Sequence, residues 1–349
     1  MPPVHLRSQT PDSLATLWPD LPIEPAIARR VIARVVGRGL DDLNGVPGVS
    51  HALAAEIAKR GSLERLVCVD RRESPRDGFV KYLFRADDGV LFETVRIPLL
   101  APRFSVCVSS QAGCGLGCVF CETGRLGFTR NLEPWEIVEQ VLAVKRDAPP
   151  DRPVTGVVFQ GQGEPLQNYD AVIRAATILR DPSGLQIRGE AITISTVGLL
   201  PAIERYTREG HVFRLILSLT SAIDAKRAEL VPLAKTYVVA DLARAMKAHA
   251  ARHGGPVHLG WVLMSGVNAG QDEAVALARH FAGVPVRVHL IDVNDPSGRH
   301  HPPDDEERGR FLDALREQGI AFVRRYSGGP DIHAACGMLA STTLGGSSP

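Results

Sequence analysis

No stretch of the chain reaches the roughly 18 consecutive apolar residues that a membrane-crossing helix needs, and the opening MPPVHLRSQTPDSLATLW lacks the basic-then-apolar order of an export signal. The expectation is a cytoplasmic protein with no membrane role. An excess of one charge is lacking too: 40 Lys and Arg face 39 Asp and Glu, a net of +1. Any contact with nucleic acid must therefore come from a local basic patch, because overall charge supplies no attraction. A disulfide framework is also missing. Six cysteines in a chain without an export signal belong to a reducing compartment, where metal ligation or catalysis is the better default. What is present is enough apolar material, 44% of 349 residues, to bury one large domain with a small one beside it.

The cysteines are unevenly placed. Cys114, Cys118 and Cys121 fall close together, Cys107 just precedes them and Cys336 lies near the far end. Cys68, in the apolar run LVCVD, reads as an ordinary buried residue.

Residues 1–100 read as a small accessory domain. Helical stretches are expected near 25–38 and 50–60, then alternating segments at 79–84 and 90–97 with a hairpin turn at Asp87-Asp88-Gly89. Residues 101–340 change character. Short β-branched runs (FSVCVS, TGVVFQ, AITIST, VFRLILSL, VHLGWVLM, VRVHLI and IAFVRR) alternate with amphipathic helical stretches. Consecutive βα units imply an α/β fold whose parallel sheet curls into a partial barrel of the (βα)6 type. Residues 341–349, small and polar, read as a flexible tail. In such folds the active site lies at the carboxyl ends of the strands, and the segments found there are CGLGCVFC, GQGEP, STVG, SLTS and DVNDPSG.

Cys114-Gly-Leu-Gly-Cys118-Val-Phe-Cys121 has the spacing CxxxCxxC. Three thiolates so spaced can wrap a loop around one face of a [4Fe–4S] cluster, the glycines permitting close backbone approach. No fourth local ligand follows, so one iron is left open to chelate S-adenosylmethionine. In this the motif resembles the radical S-adenosylmethionine superfamily. A three-cysteine zinc site completed by a distant histidine is the other reading, although zinc favours paired CxxC spacing.

Further segments extend the resemblance. CVSSQAGCGLGCVFC, GFTRNLEPWEIVEQV, GQGEPLQNYD, ITISTVGLLPAI, ELVPLAK and DIHAACGMLA, in order between about residues 90 and 340, are similar to signatures of one methyltransferase family. Its members are radical S-adenosylmethionine enzymes that methylate carbon 2 of adenosine in 23S ribosomal RNA and transfer RNA, with relatives acting on carbon 8. The resemblance implies that Cys336 carries the methyl group as S-methylcysteine and that Cys107 resolves the adduct, leaving a transient Cys107–Cys336 disulfide. It implies that Glu93, in FETV, accepts the ring proton. For S-adenosylmethionine it implies contacts from Gly163 and Glu164 to the amino group, from Ser195 and Ser218-Leu219-Thr220 to ribose and carboxylate, and from Asn294 to the adenine end. An electron donor such as flavodoxin and a monomeric state are also implied.

The chain departs from the family pattern at three places: Gln162 stands for methionine, Glu122 for alanine or serine, and Thr220 for histidine. These changes bear on the cofactor surroundings and the substrate path, while the five family cysteines are kept. In the front region LNGVPGVSHALAAEIAKRG resembles a helix-hairpin-helix turn, in which Gly45-Val46-Pro47-Gly48 would offer N–H groups to a phosphate. Arg30, Arg34 and Arg38 share one helical face as a possible backbone-contacting stripe. An ordinary interhelical turn beside a solvated basic face fits the same residues. His300 and His301 read as loop residues, and His333 stands three residues before Cys336. Two other functions compete with RNA methylation. A radical enzyme of this fold could act on a small molecule or peptide, in which case RNA would neither co-purify nor compete. A non-catalytic iron–sulfur binding protein would carry no methyl group on Cys336.

Overall fold

The computed structural model describes residues 3–100 and 102–340; the expected tail at 341–349 lies outside them. A ten-stranded sheet dominates: β1 (Val67–Glu73), β2 (Val80–Arg85), β3 (Leu91–Pro98), β4 (Phe104–Val108), β5 (Val154–Phe159), β6 (Ile192–Thr196), β7 (Arg214–Ser218), β8 (Val257–Leu263), β9 (Val286–Asp292) and β10 (Ala321–Arg324). Spatial order in the sheet follows chain order. From β4 to β10 every pairing is parallel. β1, β2 and β3 form an antiparallel meander attached where Val95 of β3 faces Cys107 of β4. The sheet is a partial barrel of seven parallel strands with an antiparallel extension, and all seven β-branched runs in the sequence become its strands.

The helices that return the chain between parallel strands pack outside. Pro134–Asp147 follows β4, Tyr169–Arg180 follows β5 and Leu200–Glu209 follows β6. The first of these starts on a reciprocal cap, since the Glu136 carboxylate accepts the Glu133 N–H at 2.7 Å and proline occupies its first turn, where a missing N–H loses nothing. Outward-facing Val106 and Val108 of β4 join Val138, Val141 and Leu142 of this helix in the core. The lumen face is more polar. Strand register puts Cys107, Val158, Thr193 and Arg214 in one row across β4 to β7, and Ser218, Gly260, His289 and Val323 in another across β7 to β10.

The front helices form as read, Pro25–Ile32 continued by a wider turn Ala33–Gly37, and His51–Arg60. The hairpin at Asp87-Asp88-Gly89 is present, and its strands continue the barrel sheet. Arg7 anchors the front helices on the barrel: wholly buried, it donates to the carbonyl oxygens of Val35, Leu63 and Glu64 and lies 3.1 Å from the Glu139 carboxylate. Two of the three striped arginines turn toward the glycine-proline turn: Arg30 donates to Pro47 O at 3.0 Å and Arg34 to the Asp42 carboxylate at 2.7 Å. Arg38 is exposed.

Cys68 differs from expectation. It is exposed, because β1 is the sheet edge and the apolar neighbours Val67 and Val69 are themselves 47% and 38% exposed.

Candidate active site

The loop after β4 carries Cys114, Cys118 and Cys121. A small antiparallel pair, Gln111–Cys114 with Gly127–Asn131, holds its two ends together. The contact is tight: Gly113 has φ +72°, and a Cβ there would collide with the carbonyl oxygen of Gly127, so glycine is required. The apolar cluster around Cys118 draws in Leu230, Val231 and Met264 from the loops after β7 and β8.

The three thiols line one cleft at the carboxyl ends of the strands. Gly163, Glu164, Ser195, Ser218, Asn294 and Cys336 line it as well. Leu219 and Thr220 do not; both are wholly buried. Thr220 has φ +64°, its carbonyl oxygen accepts from Asn268 Nδ2 at 2.6 Å, and its hydroxyl is buried without a hydrogen-bond partner.

Glu164 is 2% exposed. Its carboxyl oxygens accept the N–H groups of Leu166 and Val197, each at 2.9 Å. Burial outweighs those donors and pushes its pKa up to about 7. Burial also raises the Cys114 thiol to about 11 and drives Cys118 upward, with the neighbouring cysteines adding to the shift.

Among the described residues no three His, Cys, Asp or Glu side chains converge tightly enough to hold a single metal ion. Zinc would need its thiolates about 2.3 Å from one centre, whereas an iron–sulfur cube binds each thiolate at a separate corner. Three thiols on one glycine-bearing loop are a donor set that fits such a cluster. A buried guanidinium fits an anionic cluster as well. Arg227 is 1% exposed, donates to the carbonyl oxygens of Leu219 and Val197 and acts electrostatically on Cys118. Nothing in the local sequence singles it out.

Cys336 stands in a shared wall. It lines the cleft of the three thiols and also a second cavity, whose lining includes Cys107, Val95, Ile97 and Phe79. Its N–H donates to Ser327 Oγ at 2.9 Å, which also receives Asn294 Nδ2 at 3.2 Å. The next residues are tied to the helix after the cluster loop: Glu122 N–H donates to Gly337 O at 2.7 Å and Thr123 Oγ1 to Leu339 O at 2.8 Å. Both thiols are free and shifted upward by burial, Cys107 also by the nearby Cys336.

Glu93 shares the lumen face of β3 with Val95, one inward-facing step nearer the carboxyl end of β4. It is wholly buried, and its carboxylate lies 2.9 Å from Lys81 Nζ. It lines neither cavity. Gln162 is also wholly buried, and its Oε1 accepts the Glu93 N–H at 3.2 Å. Sequence reading passed over Ser327, Gln111, Lys81 and Arg227, whose roles depend on partners distant in the chain. His300 pairs with Asp295 at 2.8 Å.

Comparisons with known proteins agree with this geometry. Residues 108–278 match the Radical SAM superfamily. A probable RNA methyltransferase of Anaeromyxobacter sp. (strain Fw109-5) is 50% identical over 90% of this chain and 93% of its own length. The same strain has a second relative, named dual-specificity RNA methyltransferase RlmN, at 37% identity over 97% of this chain and 91% of its own. Among solved structures, a radical SAM methyltransferase from Sphaerobacter thermophilus superposes with a TM-score of 0.90 at 36% identity, covering 97% of this chain and all of that one.

Proposed function

Since this chain belongs to the family of radical S-adenosylmethionine RNA methyltransferases, we propose that it methylates a ring carbon, C2 or C8, of an adenosine in ribosomal or transfer RNA, with Cys336 carrying the methyl group. The carrying observation is the position of Cys336 in the wall between the cleft of the three cluster thiols and the cavity that contains Cys107. A methyl carrier must meet the cofactor on one side and its resolving thiol on the other.

Cys114, Cys118 and Cys121 would hold the cluster, and the Glu164 carboxylate would receive the methionine ammonium. When bound, the cluster supplies the electron that cleaves S-adenosylmethionine, and the resulting radical takes a hydrogen atom from the Cys336 methyl group. Before that, the Cys336 thiolate attacks the methyl carbon of a first S-adenosylmethionine, taking the methyl group and displacing S-adenosylhomocysteine. After addition of the methylene carbon to the base and return of one electron to the cluster oxidised in the cleavage, Glu93 would accept the ring proton. Cys107, as thiolate, then attacks the Cys336 sulfur, and the carbon–sulfur electron pair leaves with the base, where a proton completes the methyl group. The remaining Cys107–Cys336 disulfide is reopened by cellular thiols. Lys81 Nζ, 2.9 Å from the Glu93 carboxylate, would orient it inside the fold.

The relative with the higher identity comes from a strain that also has a protein named RlmN. That, with Gln162 and Thr220 at altered positions, favours a target distinct from that of the RlmN-named relatives. A flavodoxin-class donor, a cytoplasmic location and a monomeric state belong to the same reading.

Peptide mass spectrometry of anaerobically purified protein tests it. A methyl group on Cys336 in the wild type, absent from a Cys118→Ala variant that cannot hold the cluster, is the expected result. An unmodified Cys336 with cluster and S-adenosylmethionine both present would overturn the route.

A further inference from the structure

Five nitrogen-bearing side chains converge on the lumen of the partial barrel, on the amino-terminal side of the cleft. Arg214 comes from β7, His258 from β8, Arg287 and His289 from β9, and Arg325 from the residue after β10. Register fixes the arrangement: His258 faces Arg287 and Gly260 faces His289 across β8 and β9. Arg325 continues the ladder, its N–H donating to Leu290 O at 2.8 Å, and its Nε donates to His289 Nδ1 at 3.2 Å.

That one bond fixes the protonation of both imidazoles. His289 Nδ1 is an acceptor, so its proton sits on Nε2 and is donated to His258 Nδ1, 3.0 Å away. The His258 proton then sits on Nε2 as an unused donor. Burial and the surrounding guanidiniums keep both rings neutral, lowering His258 to about 4 and His289 to about 3.

No carboxylate answers this charge. The charged groups acting on Arg325 are Arg214 and Arg287, both unfavourably. Among the described residues none of the three guanidiniums forms an ion pair, and Arg214 and Arg287 form no hydrogen bond through their side chains. A pairing by chance is easy on this surface, which carries many Arg–Asp and Arg–Glu bridges. Three converging arginines left without an acid are a pre-arranged anion site, and planar guanidinium forks suit the oxygens of a phosphate.

We propose that Arg214, Arg287 and Arg325, with the His258 Nε2–H, hold a backbone phosphate of the RNA whose adenine is presented to Cys336. The proposal rests on the methyltransferase reading and names where the substrate's backbone is held. Location selects RNA over a free anion. The same strands carry Ser218, Val262 and Ile291 of the cofactor cleft, and inward-facing positions repeat about every 7 Å along a strand. Tyr326 and Ser327, next after Arg325, line the cavity of Cys107 and Cys336. Arg287 and Arg325 are exposed, so the site opens to solvent.

The test uses the full-length holoenzyme and in vitro transcribed, unmodified 23S ribosomal RNA fragments and transfer RNA as probes. Arg214→Gln with Arg287→Gln is the informative variant, since neither side chain has a hydrogen bond to lose. Expected are RNA affinity weakened at least about tenfold at fixed salt and a slope of log affinity against log salt shallower by about 0.7, the value of one single-strand phosphate contact. Methylation of Cys336, which requires no RNA, should stay at the wild-type level and reports an intact fold. Lysine at both positions should restore most of the salt slope. RNA binding by the variant with unchanged affinity and slope would sink this proposal alone. Failure of the wild type to bind either RNA at low salt would sink it together with the methyltransferase reading.

Discussion

At the scale of single residues, Glu164 gives the clearest pH signature. An ordinary glutamate titrates near 4.5, but burial holds this one at about 7 in the ligand-free fold. Between those values the unfolded chain has lost the proton and the folded chain keeps it. Stability from this group is therefore full below about pH 4.5, falls as pH rises toward 7 and is constant above. The loss amounts to about 3 kcal/mol. Urea unfolding of the ligand-free protein at pH 5 and pH 7.5 should show it, and Glu164→Gln should flatten that part of the profile. A wild-type profile with no decline over this interval would mean that the carboxyl is already ionised. Binding of a methionine ammonium would favour the carboxylate, so uptake of S-adenosylmethionine below pH 7 should release protons. Cysteine spacing and the GQGEP turn were legible in the sequence because ligand identity and spacing are local. The burial of Glu164 was not, because it comes from the convergence of loops after β4, β5 and β6. Arg227 and Ser327 were invisible for the same reason: the fold alone brings the Leu219 and Val197 carbonyl oxygens to one and the Asn294 amide and Cys336 N–H to the other.

At the scale of elements, the site depends on how two loops interlock. Gly163 has φ +95°, and a Cβ placed there would come within 2.5 Å of Gln111 Cβ. Gln111 in turn accepts the Glu164 N–H at 2.9 Å and donates to Asn131 at 2.8 Å. Gly163→Ala must both adopt an unfavourable backbone conformation and displace the side chain that positions Glu164. A loss of about 1–3 kcal/mol in stability is expected. Weaker binding of S-adenosylmethionine in calorimetry should accompany it, with the cluster's visible absorption retained. Equal binding by the variant would show that the turn does not set the position of Glu164. The parallel strands were readable because β-branched runs flanked by turns carry their own signal. Their neighbours across the sheet were less so. The meander of β1 to β3 has the alternation of a free-standing hairpin, and only the pairing of residues 95–98 with residues 104–107 makes it part of the barrel. For Cys68 the flanking valines suggested burial, but an edge strand leaves such residues in solvent.

At the scale of the whole molecule, the first hundred residues help to hold the last. The turn between β1 and β2 reaches across to the segment that carries Cys336. Asp77 accepts the Gly329 N–H and the Tyr326 hydroxyl, each at 2.8 Å, and Ser74 donates to Asp331 at 2.9 Å. Phe79 packs with Ile332, Ala334 and Leu339 beside Cys107. The segment that holds Cys336 has no regular structure beyond one short turn, Pro330–Ile332; these long-range ties, with the bonds from Glu122 and Thr123, fix its position. Asp77→Ala removes two of them, and Asp77 itself lines neither cavity. A local loss of about 1–3 kcal/mol is expected, small against the core that stabilises the barrel. Hydrogen exchange followed by mass spectrometry should then show faster exchange across residues 326–339, while the cluster loop keeps its protection and the cluster its absorption. The fraction of Cys336 recovered as S-methylcysteine should fall in parallel, since a thiol that wanders meets the methyl donor less often. Unchanged exchange in that segment would place its restraint in the bonds to Gly337 and Leu339 instead, and Thr123→Val would then be the variant that releases it.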